Sequence, residues 1–366
     1  MPGEPLASGK EDPMTTSSIQ DPTAEAGFVS PEGESARLPS KPRRARSGGD
    51  RMAGEGFFSR FTLVLVLIAL VAVFSVLRPE TFPTYTNLTS ILSSQTVLLV
   101  LAVGAMFPLI AGEFDLSVGF MLGFTAMFFA VATTQWSLPL GLAIPLVILV
   151  GAVLGTVNAI LILKFGINAF IATLASGTVL QGLTLWLSAG RVVAGVPAEI
   201  TAIGRAQVAG MPILVFFAAA IAVAAWFVLD RTRTGRLLYA TGLGREAARL
   251  AGVKTSKLLA ASFVVSGVMA SLAGMMQTAN LGAANPDVGA QYLLPVFAAA
   301  FLGATAIRPG RFNVLGTVLS LLLLAFGISG LSQLGAPLWV SPVFNGLALI
   351  VAVAIAVRRR RAVTRG

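Results

Sequence analysis

The sequence contains no cysteine and no histidine among its 366 residues. These absences exclude disulfides, thiolate chemistry, Cys or His metal sites and His-based catalytic triads. Charged residues are also scarce: they make up 11% of the chain, whereas a typical soluble domain has about 25%. Hydrophobic residues, by contrast, make up 55%. This composition predicts a polytopic membrane protein, and we predict no cofactor.

Ten long apolar runs follow a polar N-terminal region. Each run is close to the roughly 20 residues that a membrane-spanning helix needs, and backbone in lipid must be helical to satisfy its hydrogen bonds. We therefore predict an all-α fold with about ten transmembrane helices in residues 53–357. Residues 1–52 are predicted to be a disordered, basic cytoplasmic tail, and residues 358–366 a basic cytoplasmic C-terminus. The predicted runs are 57–77, 91–111, 116–134, 138–163, 167–188, 212–229, 257–279, 291–306, 313–333 and 338–357.

The basic residues predict the orientation of the chain. With ten spans, all of them fall on the side of the two termini except Arg78, Arg191 and Arg205. Basic residues concentrate on the cytoplasmic side of membrane proteins, so both termini are predicted to be cytoplasmic. The net charge of +10 is scattered over short clusters and forms no single face, so no nucleic-acid partner is predicted. The run Lys41–Arg46 is either a contact for anionic lipid head groups or a flank that only sets topology.

Small residues recur four positions apart in several runs. "GFMLG" from Gly119 and "GAVLG" from Gly151 have GxxxG spacing, and Ser266, Ala270 and Gly274 continue the pattern in the seventh run. In lipid this spacing lets helix backbones approach closely. Because ten helices supply many internal partners, we predict packing within the bundle in preference to dimerisation.

A basic loop at about 231–257 follows the sixth run and contains a short helix-forming stretch, Glu246–Leu250. Gly252 is placed to end that helix as its C′ residue. The small side chains of Ala247, Ala248 and Ala251 predict either a flat surface that docks on a partner protein or an ordinary surface helix. The chain has no G-x-x-x-x-G-K-[ST] motif to hold phosphates, so any ATP must bind to another subunit, and we predict no catalytic residues.

The stretch "GEFDLSVG", Gly112 to Gly119, carries the only carboxylates between Thr81 and Ala198. A carboxylate at mid-bilayer costs about 2.5–3.5 kcal/mol. Glu113 and Asp115 are therefore predicted to lie near the interface, face a hydrated cavity or bond to backbone. The spacing of Asp115 and Ser117 also predicts a cap for the third helix, and the flanking glycines allow a broken helix beside a translocation path.

Two other groups of polar residues are candidates for function. In the fifth run, Asn168, Thr173 and Ser176 suit a path for an uncharged polar solute, although such residues often only join neighbouring helices. Asn285 and Asp287 lie in a turn-rich loop predicted to be outside, where they are candidates for contact with an external partner.

At these residues the chain resembles the permease subunits of ribose-type sugar ABC importers, within the larger ribose and branched-chain amino-acid permease family. The resemblance rests on "GEFDLSVG", "INAFIATLASGTVLQGLT", "TRTGRLLYATGLGREAARLAGV", "SGVMASLAGMMQTANLGAANPDVGAQY" and "FLGATAIRPGRFNVLGTVLS". It covers most of 57–357. It implies a bacterial inner-membrane protein, a permease homodimer, a cytoplasmic ATP-binding subunit and an extracytoplasmic sugar-binding protein.

The resemblance also assigns roles to individual residues. Glu246, Ala247, Ala248 and Gly252 are similar to the EAA-x-x-x-G element that docks on the ATPase. Asp115, Leu116, Ser117 and Gly119 match the family's "DLSVG", whereas Glu113 stands where many members have glycine.

The expected function is a permease that passes a monosaccharide, ribose-like, from the binding protein through the membrane while ATP is hydrolysed elsewhere. The main alternative is a proton-coupled carrier with Glu113 or Asp115 as the relay. Two further alternatives are the same ABC architecture carrying an amino acid or nucleoside, and a membrane scaffold or receptor without transport.

Overall fold

The computed structural model describes residues 49–364, with side chains described for 61–355. Residues 1–48 of the predicted tail lie outside this range. The described chain is mainly helical, with four two-residue strands. The elements are α1 Gly49–Leu77, α2 Tyr85–Ile110, α3 Val118–Thr134, α4 Leu140–Leu163, α5 Ala169–Ser188, β1 Val193–Ala194, α6 Ala198–Arg205, β2 Gln207–Val208, β3 Met211–Pro212, α7 Ile213–Arg231, α8 Arg233–Leu243, α9 Arg245–Leu250, α10 Thr255–Leu281, β4 Ala283–Ala284, α11 Val288–Gly303, α12 Val314–Gln333 and α13 Val340–Thr364.

Six of the described helices are long and apolar enough to cross a membrane, namely α2, α4, α5, α7, α10 and α12. The four remaining predicted runs also coincide with apolar helix, but these stretches are shorter: Phe61–Leu77, Val118–Thr134, Val288–Gly303 and Val340–Ile355. The all-α membrane fold is therefore confirmed. The terminal boundaries differ from those predicted: α1 already includes residues 49–52, and α13 continues through the C-terminal arginines to Thr364, because arginine is a good helix former.

The core lies where α2, α3, α10 and α11 meet. Most of the second half of α2 is buried, and α10 packs along α2, α3 and α4. The predicted small-residue contacts form within the chain. A Cβ atom at Gly155 would lie 2.2 Å from the carbonyl oxygen of Phe263, and one at Gly119 would lie 2.6 Å from that of Gly289. The backbones of α4 and α10, and of α3 and α11, therefore touch directly, as GxxxG spacing allows.

The molecule has two ends that α10 connects. At one end, α10 follows directly after α8 and α9, and we call this the α8–α9 end. At the other, it leads into β4, which pairs antiparallel with β1, and we call this the β1–β4 end. An α-helix rises 1.5 Å per residue, so the 27 residues of α10 separate the two ends by about 40 Å.

Candidate functional site

The non-helical residues Gly112–Ser117, which we call the pre-α3 segment, lie at the α8–α9 end between α2 and α3. Gly112 has a φ of +90°, a conformation that glycine adopts without steric cost. The N–H of Glu113 donates to the carbonyl oxygen of Pro108 at 2.9 Å, so the chain turns tightly as it leaves α2. The third run is thus a continuous helix preceded by this turn, and not a helix broken in its middle.

Asp115 in this segment is completely buried. Its Oδ1 accepts hydrogen bonds from the backbone N–H of Ser117 at 3.1 Å and from the hydroxyl of Ser117. Its Oδ2 accepts from the hydroxyl of Ser266 in α10 at 2.7 Å. The carboxyl group therefore binds the N–H of Ser117, the residue before α3, and also ties this segment to α10. Ser117 is the N-cap residue of α3 and makes no side-chain cap hydrogen bond, so the predicted capping of the first N–H groups of the helix is not observed. The contact with Ser266 was not foreseen from the sequence.

Helices α4 and α5 bind the same segment. The buried Asn158 of α4 donates from Nδ2 to the hydroxyl of Ser117 at 2.8 Å, and Thr173 of α5 accepts from the N–H of Leu116 at 3.0 Å. The other amide atom of Asn158, Oδ1, is buried and has no hydrogen-bond partner among the described residues. These contacts join four helices through one short piece of irregular chain.

The structure gathers some of the predicted path residues and separates others. Asp115, Ser117 and Thr173 lie together, and Gly119, the second residue of α3, packs against Gly289 of α11. Ser176 donates to the carbonyl oxygen of Thr173, while Asn168 is exposed and caps α5 by accepting from the N–H of Phe170 at 2.9 Å. A cleft of about 170 Å³ between α2, α7 and α12 is lined by none of them.

The predicted docking helix is present as α9. It ends in a pair of hydrogen bonds, from Gly252 N–H to Arg249 O and from Val253 N–H to Ala248 O. Gly252 has a φ of +82°. This is the Schellman arrangement, so the predicted role of Gly252 as the C′ residue is confirmed.

The predicted surface of α9 needs one correction. Glu246 and Ala247 are exposed, but Ala248 is buried, with 7% of its surface accessible. The prediction that Ala248 belongs to an exposed docking face is wrong, because α9 turns this side chain toward the rest of the chain. The sequence analysis also missed two leucines: Leu243 before α9 and Leu250 at its end are 81% and 82% exposed.

Charged contacts connect several elements at the α8–α9 end. Arg245 pairs with Glu113 at 2.7 Å, and Arg308 pairs with Asp230 at 2.6 Å. The guanidinium of Arg311 lies 4.2 Å from the ring centre of Tyr239, whose hydroxyl donates to the carbonyl oxygen of Phe312. Burial raises the pKa of Tyr239 to about 12, so this hydroxyl stays protonated and remains a donor at neutral pH.

Asn285 and Asp287 lie at the β1–β4 end, in the loop between β4 and α11. Both are exposed, and the Oδ1 of Asn285 accepts from the N–H of Asp287 at 3.0 Å. Gln181 of α5 donates to the carbonyl oxygen of Pro286 at 3.2 Å, which fixes this loop to the bundle. Within residues 49–364, no three His, Cys, Asp or Glu side chains gather into a possible metal site.

A family model described as "Branched-chain amino acid transport system / permease component" matches residues 87–353. The match includes the pre-α3 segment, α9 and the loop with Asn285. No solved structure matches the chain.

Among curated proteins, the chain is 32% identical over 293 residues to the ribose import permease protein of Haemophilus influenzae, covering 79% of this chain and 90% of that protein. It is 31% identical to the D-allose transport system permease protein of Escherichia coli, covering 82% and 92%. It is 29% identical to the autoinducer 2 import system permease protein of Photorhabdus laumondii, covering 82% and 91%.

Proposed function

The chain belongs to this family of transport permeases, in its ribose-type branch, and is a multi-pass protein of the bacterial inner membrane. We propose that it forms the translocation channel of a monosaccharide importer. In this proposal a separate ATP-binding subunit docks at the α8–α9 end and hydrolyses ATP. An extracytoplasmic binding protein delivers the solute at the β1–β4 end.

The surface of α9 carries this proposal. A helix of six residues is too short to be stable by itself, yet α9 is anchored on one side by Ala248 and closed at its end by Gly252. On its other side, α9 exposes Glu246 and Ala247 on the surface of the chain. The exposed Leu243 and Leu250 flank them. Large apolar residues exposed beside a charged helix are typical of a protein–protein contact. In the proposed complex, Leu243 and Leu250 enter the groove of the ATPase and α9 transmits its movement.

We also propose ten membrane spans with both termini in the cytoplasm. The four shorter apolar stretches are then spans at which the bilayer is locally thinned. The α8–α9 end is cytoplasmic, in keeping with the basic residues there. Residues 53–357 form the transmembrane permease domain, with the tail before it and the basic C-terminus, 358–366, after it on the cytoplasmic side.

The proposal also assigns the binding-protein contact, the oligomeric state and the solute path. Asn285 and Asp287 contact the binding protein, since both are exposed at the β1–β4 end. The permease works as a homodimer, and the solute passes beside the segment that includes Glu113, Asp115, Ser117 and Gly119 and beside α5 with Asn168, Thr173 and Ser176. The named relatives import ribose, D-allose and autoinducer 2, which supports a sugar-like, uncharged solute with D-ribose as the first candidate.

The geometry supports the proton-coupled alternative less well. A relay carboxylate needs access to water on one side and then the other. Glu113 is already paired with Arg245, and Asp115 is enclosed by hydroxyl and backbone donors with no exposed surface.

The test is reconstitution of the full chain with its ATPase and binding protein in liposomes, with radiolabelled D-ribose as the probe. We expect uptake that requires ATP and is lost in Leu250→Asp together with ATPase association in pull-down. The matched control is Leu338→Asp, because Leu338 is 95% exposed in the loop between α12 and α13. Unchanged association in Leu250→Asp, or uptake driven by a pH gradient without the ATPase, would overturn the proposal.

A further inference from the structure

One ion pair joins α9 to the pre-α3 segment across 132 positions of sequence. Arg245, the first residue of α9, places its guanidinium NH2 2.7 Å from Oε1 of Glu113. Both side chains are partly accessible, at 42% for Arg245 and 23% for Glu113. Glu113 therefore faces the docking element.

A backbone contact lies at the same junction. A Cβ atom at Gly242, near the end of α8, would lie 1.9 Å from the carbonyl oxygen of Ile110, and one at Gly112 would lie 3.5 Å from the Cα of Gly242. The end of α2 and the end of α8 thus touch without side chains between them. The ion pair and this contact together leave little room for α9 to shift independently of the pre-α3 segment.

The pre-α3 segment in turn touches four further helices within five residues. Phe114 packs against Phe297 and Phe301 of α11, with ring centres 6.0 Å apart in both cases. Leu116 bonds to Thr173 of α5, Asp115 to α10 and Ser117 to α4, as described above. A displacement of Glu113 would therefore disturb contacts to α4, α5, α10 and α11 together.

The ion pair itself contributes little to stability, because partly exposed pairs are typically worth about 0.2–1 kcal/mol. Its place at this junction points to a different role. Resting on the proposed function, we infer that Glu113 and Arg245 are positioning residues that couple movement of α9 to the pre-α3 segment, and so tie ATP hydrolysis to solute movement. The pair acts by fixing the relative position of two elements and has no contact with ATP or solute in this role.

The test is a charge-reversal series in the reconstituted importer: Glu113→Arg, Arg245→Glu and the double swap. We expect each single reversal to lower the amount of D-ribose imported per ATP hydrolysed by about fivefold or more, the lower range of allosteric couplings. The double swap restores the attraction, so its ratio is expected to return to within about twofold of the original protein. ATPase association in pull-down is expected to persist in all of them. The control is Lys164→Glu, an exposed residue after α4 that undergoes the same change of charge away from the junction.

A second measurement does not depend on the solute. Because the chain has no cysteine, Phe114→Cys provides one thiol in the pre-α3 segment, where Phe114 is 41% exposed. We expect a membrane-impermeant maleimide, applied to the detergent-solubilised complex, to label this thiol several-fold faster when Arg245→Glu is added, and at the original rate in the double swap. Local opening of a weakly held segment raises such rates; Lys164→Glu is expected to leave the rate unchanged.

The outcomes separate the two proposals. Equal labelling in all backgrounds, or an unchanged import ratio in the single reversals, overturns the coupling role of the pair. A double swap that behaves like the single reversals also overturns it, since charge complementarity would then not matter. If the unsubstituted protein shows no ATP-driven uptake but the labelling follows the expected pattern, the proposed function is wrong. The role of the pair in positioning α9 against the pre-α3 segment is then still supported.

Discussion

The two ends of the bundle are held together by different chemistry. All three ion pairs found among the described residues lie at the α8–α9 end, as do both arginine–aromatic contacts. At the β1–β4 end, Arg78, Arg191, Arg205, Glu199 and Asp287 take part in none of these pairs. Neutral contacts predominate there instead, for example from Gln333 and Ser329 to Asn87, each at 3.0 Å.

This difference fits the proposed roles of the ends. Partly exposed ion pairs are directional but worth little energy each, so they fix the relative position of two elements without adding much to the stability of the fold. Neutral hydrogen bonds are insensitive to salt and to the charge of a visiting protein. The comparison therefore predicts that equivalent substitutions at the two ends have unequal effects.

The largest effect is expected from Gly242→Ala at the α8–α9 end. Its new Cβ would meet the carbonyl oxygen of Ile110, and backbone yields less readily than a side chain, so we expect about 1–3 kcal/mol of destabilisation. The matched variant is Gly141→Ala, at the start of α4 near the β1–β4 end, where no atom lies within 4 Å. It is expected to gain up to about 1 kcal/mol. Thermal unfolding in detergent measures both, and equal melting temperatures would show that the junction is loose.

The second comparison uses one chemical change at both ends. Asp115→Asn turns a side chain that accepts three hydrogen bonds into one that brings its own donors into a buried site, which costs about 1–3 kcal/mol. Asp287→Asn alters an exposed residue, and we expect a change within about 0.5 kcal/mol. Yield and melting temperature of the purified protein check this pair. Normal yield of Asp115→Asn would mean that the carboxyl group is dispensable for folding.

A third pair removes one phenol hydroxyl from each end. Tyr239 donates to Phe312 O at 2.5 Å and is buried, whereas Tyr85 is exposed and lies 3.4 Å from Ala209 O. We expect Tyr239→Phe to cost about 1 kcal/mol and Tyr85→Phe to cost less. Because the folded-state pKa of Tyr239 is raised to about 12 from 10, its contribution is complete below pH 10 and is lost as the pH rises toward 12. A Tyr239→Phe penalty that is already absent at pH 8 would contradict this assignment.

The smallest effect concerns salt. The coupling energy between Glu113 and Arg245 in a double-mutant cycle is expected to be about 0.2–1 kcal/mol at low ionic strength. It should shrink in 1 M salt, where the Debye length falls to about 3 Å. The cycle for Asn87 and Gln333 at the other end should not change with salt. Equal salt dependence of the two cycles would remove the distinction between the ends.

The sequence alone was sufficient for the apolar helices and for the end of α9, but it did not predict α6 and α8. Run length and hydropathy predicted the apolar helices, and spacing predicted that Gly252 ends α9, because both depend on residues close together in the chain. The third run could be read as broken from its glycines, but the irregular part is confined to the pre-α3 segment, since Gly112 alone has the left-handed backbone there.

The long-range contacts could not be predicted from the sequence. Nothing about Ser266 in a row of small residues distinguishes a bond to Asp115 from ordinary helix packing. Glu113 was expected beside a path, but its partner is an arginine 132 positions away, which depends on how α2, α8 and α9 pack. The burial of Ala248 likewise depends on which side of a six-residue helix faces the bundle, and six residues are too few for a reliable periodic pattern.

The unbroken course of α10 has a mechanical consequence. One of its close backbone contacts is near the middle, where a Cβ atom at Gly267 would lie 2.1 Å from the carbonyl oxygen of Gly151. From that pivot, Thr255 and Leu281 are about 18 Å and 21 Å away at 1.5 Å per residue. If α10 tilts as a rigid helix about this contact, its two ends move by nearly equal distances in opposite directions. A sideways displacement of α10 at the α8–α9 end would then move β4 and the loop after it in the opposite direction.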